Sequence, residues 1–430
     1  MNSTPPYSDV EVRLNSRFNF LPVYVLEIIR TFGAGLMGVA AANHLILELN
    51  YEPWVASIVS SLFYFGLLLF TIIFGNISDR LGQTQVIRYT FLASIFFGVC
   101  YLIPIRNVPS LFLFSLCRFL DGGANGIFWP TVQKFSVVAE NYGQKEKTSF
   151  LSNYNVGLNI GFLLSMVFGT VALYLVDNNY ILFFFNALNA IIGIGIAFFW
   201  LKKVTISHSN QEQQQSGQSI KEYPHNASKR DYYLEKAYMI PFFVLIAVLF
   251  AHSFTDGATI INIPLKTQQI GAATFWTFAF GLAKAFMMTI GTGTFSRIKD
   301  YQITRCVFIG LSGLAIVWLS FALAQTIIII FVLMIFSGFF QGMIYAIGMR
   351  MMSFKAQQQQ SARPYAIFQA TMGSGRMLGQ VNIGVAANVS ANLGTYILVI
   401  YDCIAIGVFS SYYFKKPHNK IGDEGISSKE

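Results

Sequence analysis

Long apolar runs separated by short polar loops organise this chain. Twelve runs reach the roughly 20 mostly apolar residues that cross a bilayer as a helix. They fall at roughly 22–47, 54–76, 86–105, 108–131, 149–176 and 179–201, then at 237–264, 269–295, 305–323, 326–349, 364–388 and 393–414. The apolar residues run on continuously. Barrel strands, the other solution that satisfies the backbone in lipid, would alternate apolar with polar. The pattern therefore predicts an all-α integral membrane protein.

One long interruption divides the runs six and six. Residues 202–236 include His208-Ser-Asn-Gln-Glu-Gln-Gln-Gln-Ser-Gly217 and then Lys221, Glu222, Lys229, Arg230 and Asp231. So polar a stretch predicts a linker. The expected organisation is a tail at 1–21, a six-helix bundle at 22–201, the linker at 202–236, a second bundle at 237–414 and a tail at 415–430. The two bundles echo each other. Arg118-Phe-Leu-Asp121-Gly122 in the fourth run aligns with Gly338-Phe-Phe-Gln341-Gly342 in the tenth. In the fifth and eleventh, Gly157 and Gly161 align with Gly375 and Gly379, spaced for close helix approach. Such duplication predicts two pseudo-symmetric halves around a central cavity.

Composition agrees and fixes an expected orientation. Of 430 residues 54% are hydrophobic and 11% charged, against roughly 25% charged in soluble domains. About 23 of the Lys and Arg fall on the side shared by both ends, and about two, Arg106 and Lys266, on the other. Both termini are therefore expected in the cytoplasm, as in a plasma-membrane protein. The net charge of +9 then reflects topology and anionic lipid, and no nucleic-acid partner is expected. The first 20 residues show no apolar core of a signal peptide. Cys100, Cys117, Cys306 and Cys403 lie in or beside the runs without metal-binding spacing. No metal or other cofactor is expected, and no HExxH, GxSxG or Walker loop points to an enzyme.

The loop Gly75-Asn-Ile-Ser-Asp79-Arg80-Leu-Gly82 carries a family likeness. Gly75, Asp79, Arg80 and Gly82 match Gly-x-x-x-Asp-Arg-x-Gly, and with six runs, a linker and six runs the chain resembles a major facilitator transporter over essentially its whole length. The resemblance implies that these four residues form a cytoplasmic gate, Asp79 facing a helix end of the other half and Arg80 nearby carboxylates. Gln83, Thr84 and Gln85 stand where the family pattern continues with basic residues. The matching loop of the second half, Gly291 to Asp300, has no aspartate in register. Arg118, Asp121 and Gly122 resemble a second pattern, whose arginine is implicated in proton movement in proton-coupled relatives. The fifth run lacks the family's antiporter Gly-Pro pair.

Charges deep in a bilayer cost several kcal/mol and mark sites or pathways. The runs contain Glu27, Arg30, Arg118, Asp121, His252, Asp256, Lys284, Arg376 and Asp402. Rise per residue puts Arg30 and Asp121 roughly 12 and 15 Å from the same membrane side, close enough to pair. Arg118, Lys284 and Arg376 fall near mid-bilayer, a cation cluster suited to an anionic substrate. His252 and Asp256 share a helix face, expected nearer the outer side. A carboxylate beside a cation at membrane depth is a candidate proton site, which singles out Asp121 and Asp256, with Glu27 third. Phe340, Gln341 and Tyr345 are expected to complete the cavity. The expected function is proton-coupled movement of a small solute by alternating access, in a monomer, with an anionic metabolite or an amphipathic drug-like compound as cargo. A sensor on the same fold that carries nothing is the alternative.

Overall fold

The computed structural model describes residues 21–75, 77–142, 147–201, 242–296, 298, 302–359, 363–390 and 392–413; within these ranges the side chains of Asp79, 134–155, 353–366 and 413 are excepted. The tails and the linker expected at 202–236 thus lie outside the described residues, apart from Leu21.

Twelve long helices carry the runs. In the first half they are α1 (Leu21–Asn43), α2 (Pro53–Phe74), α3 (Gln83–Cys100), α4 (Val108–Tyr142), α5 (Lys147–Val176) and α6 (Tyr180–Phe199). The second half has α7 (Phe242–Gln269), α8 (Phe275–Phe295), α9 (Ile303–Leu323), α10 (Ile327–Gln359), α11 (Arg363–Ala387) and α12 (Leu393–Tyr413). Among the described residues nine of these are long and apolar enough to cross a membrane by length and composition. The other three, α3, α8 and α11, carry Arg88, Lys284 and Arg376 among their polar residues. Helix α1 ends in a π-helical turn over His44–Glu48, which apolar patterning does not reveal. Helix α7 runs on through Gln269, so Lys266 is a helical residue and not a loop cation. It is buried, with Nζ donating to the Ala322 carbonyl at 3.3 Å.

Glycine decides which helices meet. Helices α2 and α4 pack closely, as do α8 and α10. A methyl group on Gly122 would overlap the Phe63 carbonyl, and one on Gly342 the Met288 carbonyl. Helices α1 and α5 pair through Gly161 against the Ile28 backbone, while Gly157 faces the Glu27 carboxyl. Helices α7 and α11 pair the same way, Gly379 against the Phe254 backbone and Gly375 against Ser253. Glu27 and Ser253 thus occupy corresponding places in the two halves. Gly122→Val should abolish the folded, monodisperse protein, whereas Gly195→Val, with nothing within 4 Å, should leave it intact. Size-exclusion chromatography in detergent decides, and a well-folded Gly122→Val would contradict this packing.

Helices α3 and α6, and α9 and α12, pack on the outside of the bundles. Their apolar side chains, Phe96, Phe199, Ile316 and Ile404 among them, are exposed, as a lipid-facing surface requires. The halves meet through α2 with α11 and α5 with α8. Their tight contacts include the face where α1 gives way to α2. There Gly384 lies against Ser57 and Pro53, and Asn43 Nδ2 donates to Thr277 Oγ1 at 2.5 Å.

Candidate functional site

A cavity of about 180 Å³ lies between the halves. Helices α1, α2, α4 and α5 line it from one side, and α7, α8, α10 and α11 from the other. Its two walls differ chemically. Among the described residues the first-half wall carries no charge, and it includes Phe63, Tyr64, Trp129, Asn159 and Phe162. The three charged lining residues among those described, Asp256, Lys284 and Arg376, come from the second half.

Those three form one unit. Lys284 Nζ donates to Asp256 Oδ1 at 2.7 Å, and Arg376 Nε donates to Asp256 Oδ2 at 2.8 Å. Three helices, α7, α8 and α11, thus meet on one carboxylate. Close packing makes this possible, since the Gly257 position abuts the Arg376 backbone and the Gly338 position the Lys284 carbonyl. The charges sum to +1. Among the described residues Asp256 is the one hydrogen-bond partner of Arg376, whose guanidinium has five N–H donors. The Arg376 side chain is 28% exposed, against 7% for Lys284. Its guanidinium carbon stands 5.7 Å from the centre of the Tyr64 ring. The cavity therefore presents a planar donor fork beside an aromatic wall, its other N–H groups unengaged among the described residues.

Several expectations change here. The three cations expected near mid-bilayer do not share the cavity, because Arg118 is not part of its lining. It is 1% exposed, packed over the Phe63 ring at 4.8 Å, with Nε and Nη1 unpartnered. Asp256 is instead joined by ion pairs to both Lys284 and Arg376. Arg30 and Asp121 do meet, at 3.5 Å, but outside the cavity lining. Arg30 there also donates to Asn125 Oδ1 at 2.9 Å and to Ser94, and Tyr101 reaches Asp121 at 3.3 Å. A separate space of about 20 Å³ adjoins this cluster, lined also by Asn186 and Asn189. The reason is helical rotation: Arg30 precedes Thr31, which faces the cavity, and points about 100° away from it round the helix. Of Phe340, Gln341 and Tyr345 only Tyr345 lines it. Phe340 fills the space over Gly313, and Gln341 is fully buried with its amide unpartnered. Glu27 is fully buried, with neither oxygen hydrogen-bonded. Asp402 is buried against Thr255 at 3.4 Å.

The signature loop forms a five-residue helical turn, Ile77–Leu81. Gly75 caps α2 by donating to the Thr71 carbonyl, and Gly82 enters α3 at φ 84°, a conformation suited to glycine. Arg80 is exposed, and the Asp79 side chain lies outside the described residues. Arg88, the next cation, donates to the Ala197, Phe198 and Leu201 carbonyls at the C-terminal end of α6, where a cation is favoured. Among the described residues no cluster suited to a metal ion occurs.

Two helical bundles enclosing a polar-centred cavity define the architecture of a membrane transporter. Residues 23–422 match the Major Facilitator Superfamily, and the chain belongs to that family of transporters. Solved structures agree on the fold. The nucleoside transporter NupG superposes with TM-score 0.67 at 14% identity, covering 92% of this chain and 99% of that one. A POT family transporter in complex with 5-aminolevulinic acid gives 0.69 at 11% identity, covering 92% and 95%. A curated relative, "Solute carrier family 22 member 15-like" of Xenopus laevis, is 35% identical over 83 residues. That match spans 19% of this chain and 16% of the relative.

Proposed function

We propose that this protein carries a small organic monoanion across the plasma membrane by alternating access, with a proton. The observation that supports this reading is the unspent fork of Arg376, held in place by Asp256 and facing the cavity. Arginine suits a carboxylate because its planar donors match two oxygens at once. One net positive charge favours a monoanion. The uncharged aromatic first-half wall suits an apolar body. A cavity near 150 Å³ holds a benzene ring, so about 180 Å³ suits one ring bearing a carboxylate. The aromatic wall and the cation thus unite the metabolite and drug-like expectations in one amphipathic anion. Isothermal titration of the detergent-solubilised protein tests this: benzoate should bind and benzamide, its neutral isostere, should not. Equal binding of the two would remove the charge from the reading.

In this reading 22–201 and 237–414 are the two moving bodies and 202–236 joins them in the cytoplasm, with both termini on that side. Asp79 and Arg80, between Gly75 and Gly82, then belong to the inner gate. The contacts of Gly384 with Ser57 and of Asn43 with Thr277 close the outer face. Gly384→Val should wedge that face apart and shift the population outward. Labelling of Ile260→Cys, a cavity residue, by an impermeant maleimide from outside should then rise roughly tenfold. An unchanged rate would place the closure elsewhere.

A further inference from the structure

We propose that His252 is the residue that takes up the proton accompanying the organic anion, an inference that rests on the carrier reading above and deepens it. The ring lies one helical turn before Asp256 on α7, so the two share a face. It is 0% exposed, and neither nitrogen has a hydrogen-bond partner. It stands 6.0 Å, centre to centre, from Tyr345, which lines the cavity. His252 itself does not line it.

An imidazole buried with both nitrogens unsatisfied is costly, and such groups are rare without a reason. The carboxylates that line the cavity or sit nearest Arg30 are poorly placed for the task. Asp256 is bound to two cations. Asp121 is bound to Arg30 in the first half, off the cavity. Histidine is the side chain whose charge changes most readily near neutral pH.

The charges around His252 supply the coupling. Lys284 on α8 and Arg376 on α11 oppose a positive ring, and Asp256 on α7 favours one. Tyr345 on α10 is the aromatic neighbour of the ring. Asp402 on α12 is bonded to Thr255, and Glu27 on α1 lies against Gly157. The empty site thus sums to +1 beside the ring, which adds to the burial of the imidazole in opposing a positive charge there. An anion on the Arg376 fork brings that sum to zero and admits an imidazolium. The two ligands then favour each other, and by reciprocity a proton on His252 tightens anion binding. Unit charges about 7 Å apart at an effective dielectric of about 20 change a proton-binding constant by roughly tenfold to a hundredfold. Hydronium or a buffer acid gives up its proton and leaves as water or buffer base, and nothing is oxidised. That proton joins a ring nitrogen as the anion arrives, and on the other side it returns to water as the anion leaves.

Proton uptake on benzoate binding tests this in the full-length protein, in weakly buffered detergent solution with a pH indicator. Wild type should take up as much as one proton per benzoate, and its affinity should rise as pH falls from about 8 to 6, where benzoate stays ionised. His252→Gln should take up almost none and show a flat pH profile, with affinity at pH 8 within about threefold of wild type. His252→Asn serves as a second replacement if the glutamine protein does not fold. Proton uptake undiminished in a folded variant overturns the inference and leaves the carrier reading standing. Wild type that does not bind benzoate overturns the carrier reading, and this inference with it.

Discussion

Arg376→Gln should weaken benzoate binding by roughly 30-fold or more, the equivalent of about 2 kcal/mol, the range of a hydrogen bond to a charged group. The protein should still fold, because Lys284 continues to neutralise Asp256 at 2.7 Å. Arg376→Lys should fall between the two. It restores the charge but not the fork, and a lysine cannot bind both carboxylate oxygens in one plane. Calorimetric titration with benzoate reads all three proteins. Unchanged affinity in the glutamine variant would reduce Arg376 to a packing and ion-pairing residue. That would also remove the reason for an anionic substrate, since Lys284 is far less exposed.

Asp256→Asn should produce the largest loss of stability among the site variants. It leaves the buried Lys284 and the half-buried Arg376 facing each other without a counter-ion. Removing one partner of a buried pair costs roughly 3–5 kcal/mol. A fall in melting temperature, followed by thermal unfolding in detergent, is the expected result. Pairing it with Lys284→Met should recover much of the loss, because one cation is then gone. That non-additivity is the signature of a shared charge cluster. The single variant should also melt higher when phthalate, a dianion, is added, since its site carries +2. Equal melting of wild type and Asp256→Asn would mean that the ion pairs at 2.7 and 2.8 Å do not hold the three helices together.

Much of the fold was legible because lipid imposes a strong rule on sequence. Continuous apolar runs of bilayer length have few alternatives to helices, and the runs and the helices coincide. The echo of Gly122 with Gly342 and of Gly161 with Gly379 was legible too, since small residues mark where backbones touch. The site was harder. In an all-apolar helix nothing in the sequence says which face turns inward. Arg30 and Thr31 are neighbours, yet Thr31 faces the cavity and Arg30 the core of the first half. Arg118 packs over Phe63 and takes no part in the cavity lining. Depth follows from counting residues, whereas rotation about the helix axis depends on packing partners. Tyr64, Trp129 and Phe162 escaped notice because aromatics are abundant in the lipid-facing positions as well. Asp256 is the instructive residue: its sequence marks a buried charge, but only the meeting of α7, α8 and α11 shows that it joins two cations. The π-helical turn at His44–Glu48 leaves no trace in hydropathy at all.

The most direct test of the central claim is transport in proteoliposomes. Radiolabelled benzoate, benzamide and benzylamine present one ring with a negative, neutral and positive head, with and without an inward proton gradient. Benzoate alone should accumulate above its passive level, only under the gradient, and Arg376→Gln should abolish that accumulation. Gradient-driven accumulation of benzylamine, or benzoate movement indifferent to both the gradient and Arg376, would contradict the account.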